Sequence, residues 1–232
     1  MACFKHVFKV YAIMSKGIVA IIDYGSGNLR SAAKAFEHVV EENTLEFEVL
    51  ITSDPEDLAR ASHIVLPGQG AFGDCMQGLS AVSGMVEALS KAVQQDKKPF
   101  LGICVGMQLL ASMGLEYGSH EGLDWISGQV VPIEINDKAL KIPHMGWNVV
   151  SFNQGIRHPV LKNQQKDGAH FYFVHSFMFK SEDTNNVLGH ASYGGDVTAI
   201  VGRDNIIGVQ FHPEKSQEAG LQLLHDFLLW NP

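Results

Sequence analysis

Two short segments carry residues whose types and spacing can do chemistry. The first is Gly102-Ile103-Cys104-Val105-Gly106, which follows an apolar run beginning at Pro99 and precedes a helical stripe at Met107, Leu110 and Ala111. A strand, a sharp turn with a nucleophile between glycines and a helix start together make the context of a nucleophile elbow. The glycines would let the backbone turn without a Cβ clash, and the helix N-terminus would offer amide donors and a positive dipole end to a thiolate and an oxyanion. The same text also fits a small cysteine buried in a core. The second segment is Gln210-Phe211-His212-Pro213-Glu214. A thiol nucleophile needs a base that takes its proton and returns it to the leaving group, and the base needs an orienting group. In an extended chain residues i and i+2 point to one side, which would set Glu214 beside the ring of His212. The chain has 11 histidines; a lone histidine is more often structural, and the His-Pro-Glu spacing after an apolar run sets His212 apart. A third segment, Pro67-Gly68-Gln69-Gly70, is a glycine-rich turn after an apolar run. Alone it is an ordinary turn. Beside an elbow it could lend a backbone N–H to a tetrahedral oxyanion, together with the N–H of Val105.

The elements that would position these groups alternate from residue 17 onward. Strands are expected at 18–23, 47–52, 63–66 and 99–103. Helices are expected at 29–40, in a short piece opened by Ser53-Asp54-Pro55-Glu56, and in one long stretch over 74–95. After about residue 120 the text becomes β-rich, at 128–135, 147–152, 169–175, 187–192, 197–201 and 206–210, and it closes on a helix over 216–230. The expected fold is α/β, a mostly parallel central sheet flanked by helices with additional antiparallel β segments in the C-terminal half. No repeat or linker divides it, so residues 17–232 read as a single domain. Residues 1–16 lack the apolar core of a secretory signal. Met14 stands three residues before the strand pattern, so the leader reads as an N-terminal extension or a start-site artefact.

Composition narrows the class. In 232 residues, Lys+Arg 17 against Asp+Glu 25 gives a net charge of −8, which argues against a general nucleic-acid binder. No apolar run approaches the roughly 20 residues of a membrane-spanning helix, so a soluble protein is expected. Cys3, Cys75 and Cys104 are spaced for neither a disulfide framework nor a zinc site, which fits a cytoplasmic location. No metal-ligand cluster, phosphate loop or cofactor fingerprint appears, so no metal or cofactor is expected.

The segments IVAIIDYGSGNLRS, LPGQGAFG, PFLGICVGMQLL, GLDWISGQVVPI, KIPHMGWN, FYFVHSF and GVQFHPEKSQEAGLQLLHDF together span nearly all of 18–230. In these the chain resembles the class I, or triad, glutamine amidotransferases, and among them the glutaminase subunits of imidazole glycerol phosphate synthase. The resemblance implies that Cys104 attacks the side-chain amide of glutamine, His212 acts as base and then acid, and Glu214 orients it. It implies Gly70 and Val105 at the oxyanion, Gln108 and Glu116 at the head group of glutamine, and Ser176 at its carboxylate through the backbone. It further implies a (β/α)₈ cyclase partner that receives the ammonia for histidine biosynthesis. Met145, Trp147, Tyr172 and Lys215 would face that partner; read from the residues alone, the Met and aromatics also fit a core and Lys215 a solvated charge. Related glutaminases feed sugar amidotransferases of surface-polysaccharide synthesis, which is the alternative acceptor. A catalytically dead docking module and a cysteine peptidase are less consistent with the intact Cys104, His212 and Glu214 and with the PHMGWN segment. The chain departs from the family pattern at Gln69, where valine is common, at Val105, where leucine is frequent, and at Phe177, where tyrosine is frequent.

Overall fold

Strand formation begins where β-branched and aliphatic residues become continuous. The computed structural model describes residues 16–135, 137, 139–153, 158–164 and 168–232. Met14 and the rest of the expected leader, Lys16 excepted, lie outside the described residues. The strands are β1 Gly17–Ile22, β2 Phe47–Thr52, β3 His63–Gly68, β4 Phe100–Cys104, β5 Met113–Gly114, β6 His120–Glu121, β7 Gly128–Pro132, β8 His144–Phe152, β9 Ala169–His175, β10 Phe177–Ser181, β11 Val187–Ser192, β12 Asp196–Arg203 and β13 Ile206–Val209. The helices are α1 Leu29–Glu42, α2 Asp57–Arg60, α3 Phe72–Ala81, α4 Met85–Ser90, α5 Val105–Gln108 and α6 Gln217–Leu228.

Nine strands form one sheet in the order β2-β1-β3-β4-β13-β12-β11-β8-β9. The first five are parallel neighbours, and from β13 onward each pairing is antiparallel. β3 and β4 are buried at every residue, which is why they read as unbroken apolar runs rather than alternating ones. Right-handed crossovers put α1 on one face and the α2 to α4 region on the other. On the first face α1 packs on α6, with Phe36 and Phe227 edge to face at 6.2 Å. A smaller sheet, β10-β7-β5-β6, sits beside the large one.

The topology places three chain segments side by side. β3, β4 and β13 are consecutive in the parallel part, with Gly68 in register with Cys104 and Ile103 with Val209. Their carboxyl ends therefore share one edge, where open α/β sheets gather ligands.

Three local expectations are corrected. The single helix expected over 74–95 is broken: Val82 is extended and Gly84 is left-handed at φ 77, so α3 ends and α4 starts anew, running on into a π turn at Lys91–Gln95. The helix after Cys104 is only the four residues of α5, so the dipole at its start is that of a single turn. The glycines of the elbow do not absorb the turn; Cys104 itself does, at φ 55 and ψ −113, a conformation costing about 1–3 kcal/mol. Gly106 is needed for close approach instead, since a Cβ there would meet the carbonyl oxygen of Leu66 at 1.8 Å.

Candidate active site

The elbow at the end of β4 lifts Cys104 above the sheet edge and leaves it 5% exposed. Val105 opens α5, and its N–H is among those a helix start leaves without an intrahelical acceptor. His212 follows β13 in the neighbouring position and caps a 3-10 turn, Pro213–Lys215. Glu214 therefore does not reach the ring along an extended chain, as its spacing predicted; the tight turn folds it back. Its Oε1 lies 2.8 Å from His212 Nδ1, with both side chains nearly buried. A carboxylate on Nδ1 leaves Nε2 for the thiol of Cys104. Burial pushes the His212 pKa down, and the Cys104 and Glu214 side chains beside it more than reverse this, raising it to about 9.

His212 is also fixed through its backbone. The N–H of His212 donates to the carbonyl of Tyr172 at 2.9 Å. Ser216 Oγ donates to the carbonyl of His212 at 2.6 Å and accepts from the N–H of Tyr172 at 3.0 Å. Ser216 so ties His212 to β9.

A cavity of about 300 Å³ opens over the thiol, lined among others by Gly70, Cys104, Val105, Gln108, Glu116, Ser176 and His212. All eight residues expected at the triad, the oxyanion and the substrate thus meet in one place, with Glu214 behind His212. The Gln69 backbone is clamped from outside it: its N–H donates to Ser26 Oγ at 3.1 Å, and its carbonyl accepts from Ser26 Oγ at 2.6 Å and from Cys75 Sγ at 3.5 Å. Across the planar peptide the N–H of Gly70 points away from Ser26 and Cys75, neither of which lines the cavity. Gly70, at φ 110, holds a left-handed conformation that favours glycine.

Gln108 donates through Nε2 to the carbonyl of Phe177 at 3.2 Å and to Gln210 Oε1 at 3.0 Å. With both N–H bonds spent, only its carbonyl oxygen is left for a ligand. Glu116 accepts the N–H of Phe72 on Oε2 at 2.8 Å, keeping its other oxygen. Two acceptors in one wall suit an ammonium group. Ser176 joins β9 to β10, and its carbonyl is taken by the N–H of Ile133 at 2.9 Å, so of its main chain the N–H is the group available to a carboxylate. Phe177 uses its main chain here, so a hydroxyl on its ring is not part of these bonds.

Several participants escaped the sequence reading. Gln210 is fully buried and donates through Nε2 to Cys104 Sγ at 3.8 Å; it stood in the quoted His-Pro-Glu segment as an apparent strand residue. His175 lines the cavity as well, and Ser26 and Ser216 act on the backbone of others, a role no side-chain motif advertises.

The four residues expected at a partner face also lie together. Trp147 pairs with Tyr172 across β8 and β9, their rings edge to face at 6.2 Å, and Lys215 Nζ sits 5.8 Å from the Tyr172 ring. Met145 is 61% and Trp147 48% exposed, which removes both from the core. Among the described residues no helix is long and apolar enough to cross a membrane.

Comparison with known proteins agrees with this geometry. Residues 20–230 match the family model described as "Glutamine amidotransferase class-I". The chain is 53% identical over 214 residues to the imidazole glycerol phosphate synthase subunit HisH of Rhodospirillum rubrum, covering 92% of this chain and 99% of that one. It is 52% identical over 216 residues to the subunit of the same name from Rhodopseudomonas palustris, with the same coverage. Among solved structures, a glutamine amidotransferase superposes with a TM-score of 0.66 at 18% identity, over 92% of this chain and 98% of that one. The glutaminase domain of Trypanosoma brucei CTPS with bound acivicin gives 0.65 at 14% identity, over 93% and 95%. At such identities these two speak for the fold.

Proposed function

Because the chain belongs to the class-I glutamine amidotransferase family, we propose that it is the glutaminase subunit of an imidazole glycerol phosphate synthase, hydrolysing glutamine to glutamate and ammonia for histidine biosynthesis. The observation that carries the chemistry is one imidazole held between Glu214 and Cys104 at the floor of a small cavity. The high identity to HisH subunits over nine-tenths of the chain supports the histidine pathway over the sugar pathway as acceptor.

In this reading the proton of the Cys104 thiol rests on His212, and the thiolate Sγ forms a bond to the side-chain carbonyl carbon of glutamine as the C=O π pair moves onto the oxygen. The oxyanion that results is met by the N–H groups of Val105 and Gly70. His212 gives its proton to the amide nitrogen, the C–N bond breaks and ammonia leaves, with a glutamyl thioester remaining on Cys104. A water then attacks the thioester, His212 takes its proton, and the C–S bond breaks to release glutamate. An imidazole that keeps its proton to about pH 9 is set to act as the acid in the first half. Gln108 and Glu116 would accept from the ammonium of glutamine, and the N–H of Ser176 would donate to its carboxylate.

The partner is a (β/α)₈ cyclase subunit that docks on the face of Met145, Trp147, Tyr172 and Lys215 and receives the ammonia. The test is reconstitution of the full chain with a purified cyclase barrel, with and without the barrel's own substrate. Glutamine hydrolysis stimulated by the barrel, and synthesis fed by glutamine, are expected. Stimulation by a sugar amidotransferase and not by the cyclase would reassign the acceptor.

A further inference from the structure

The direction of a largely buried hydrogen-bond chain can be read from its two ends. Asn148 on β8 has its amide orientation set by two backbone groups: Nδ2 donates to the carbonyl of Ser192 at 3.0 Å, and Oδ1 accepts the N–H of Val149 at 2.8 Å. The same Nδ2 lies 3.2 Å from His144 Nε2, so that ring nitrogen accepts. His144 Nδ1 then carries the proton and donates to His175 Nε2 at 2.9 Å. His175 Nδ1 in turn donates to the carbonyl of Phe177 at 2.8 Å. Read from the other end the answer is the same, since the Phe177 carbonyl can only accept. Both tautomers are thereby fixed.

The chain is built rigidly. His144 is 2% and His175 6% exposed. The ring of His144 is stacked on both sides, against Tyr193 at 4.1 Å and Phe173 at 4.6 Å. Protonating either imidazole would set two N–H groups against each other at hydrogen-bond distance. Burial agrees, holding both rings neutral down to about pH 4.

The far end of the chain is the carbonyl that also receives Gln108. Phe177 O accepts from both His175 Nδ1 and Gln108 Nε2, and Gln108 passes on to Gln210, which donates to Cys104 Sγ. We propose that Asn148, His144 and His175 are positioning residues for the substrate cavity: their one-way hydrogen-bond chain fixes the Phe177 carbonyl and, through it, turns the amide oxygen of Gln108 toward the bound substrate. This rests on the glutaminase reading, which makes that substrate glutamine. It gives the two histidines a task distinct from acid–base chemistry, which neutral, doubly engaged rings cannot perform.

The first arm of the test is nitrogen-15 NMR of the imidazoles in the full chain. Both rings are expected to carry the proton on Nδ1 from pH 8 to about 5, with no titration in that range. A proton on Nε2 of either ring, or titration near the ordinary histidine value, would overturn the proposal. The second arm is kinetic, with the cyclase barrel saturating. Asn148→Asp puts an acceptor where the chain requires a donor, and His175→Phe removes the link to Phe177. Each should raise KM for glutamine about tenfold while kcat stays within about twofold, and Cys104 should alkylate with iodoacetamide at the unchanged rate. Variants that melt earlier but keep the same KM would reduce the chain to a structural role and overturn the proposal. An unsubstituted protein that hydrolyses no glutamine would instead overturn the glutaminase reading, a result distinct from an active protein whose KM ignores both substitutions.

Discussion

His212 is a buried histidine that keeps its proton, whereas His63, His144 and His175, also buried, and the half-buried His158 lose theirs early, with pKa values lowered to about 4. Burial lowers all five; what separates His212 is that two groups of the proposed triad face it. Its raised value stabilises the fold fully below pH 6.5, the ordinary histidine range, and that contribution is lost as pH rises through about 9. The same deprotonation removes the proton needed by the leaving ammonia. The kcat/KM profile should therefore fall on the alkaline side around pH 9, and Glu214→Gln should move that limb to lower pH, because one of the groups holding the proton is gone. A limb that ignores Glu214→Gln would separate the carboxylate from the base. Gln69 stands where valine is common in the family, and the bonds it makes run from its backbone to Ser26. Gln69→Val should accordingly leave hydrolysis within about twofold, whereas Ser26→Ala should lower kcat up to about tenfold, the worth of one hydrogen bond held in the right orientation. Steady-state rates of the two variants decide between side chain and backbone. The proposed triad was legible because Cys, His and Glu have few uses at such spacing; Ser26 and Ser216 were not, since a serine that holds a peptide leaves no pattern.

Among the elements, β2, β9 and β11 fall on the boundaries the sequence predicts. β10 was missed because Phe177–Ser181 continues the aromatic text of β9, and the change of sheet at Ser176 involves no glycine or proline. The false continuity over 74–95 has the opposite cause: the apolar stripe carries across Ser83 and Gly84, and the left-handed glycine that ends it was outweighed by the periodicity. β8 starts at His144, three residues earlier than expected, and so carries Met145 and Trp147 as strand residues facing solvent. An exposed tryptophan paired with Tyr172 at a strand crossing has little to lose on unfolding and much to lose on docking. Trp147→Ala should weaken association with the cyclase by about thirtyfold or more, in keeping with roughly 2 kcal/mol for an aromatic anchor, and shift the melting temperature by only a few degrees. Titration calorimetry and thermal melting of the same variant measure both; a silent Trp147→Ala in association would move the docking face elsewhere.

At the scale of the whole molecule the alternation of strands and helices made the parallel half legible, and with it the edge where β3, β4 and β13 end. The strand order was not legible, because β13 inserts beside β4 from more than a hundred residues away, and only register in space shows Gly68, Cys104 and His212 as neighbours. The four histidines with lowered pKa values weigh together on stability under acid. Below pH 6.5 the unfolded chain binds protons that these rings in the fold refuse until about pH 4, so stability falls as pH falls across that interval. Denaturant midpoints measured from pH 7 to 4 should drop steeply, and a flat profile would mean that the rings are charged or exposed in the native state. Whether Cys104 carries the acyl group of glutamine is read by quenching the cyclase-bound protein in acid during turnover and weighing the peptide that contains Cys104. That peptide should be heavier by one glutamyl group in the unsubstituted protein, with no adduct and no glutamine hydrolysis in Cys104→Ser, while synthesis from added ammonia survives. A glutamyl group on any other residue, or glutamine hydrolysis that persists in Cys104→Ser, would contradict it.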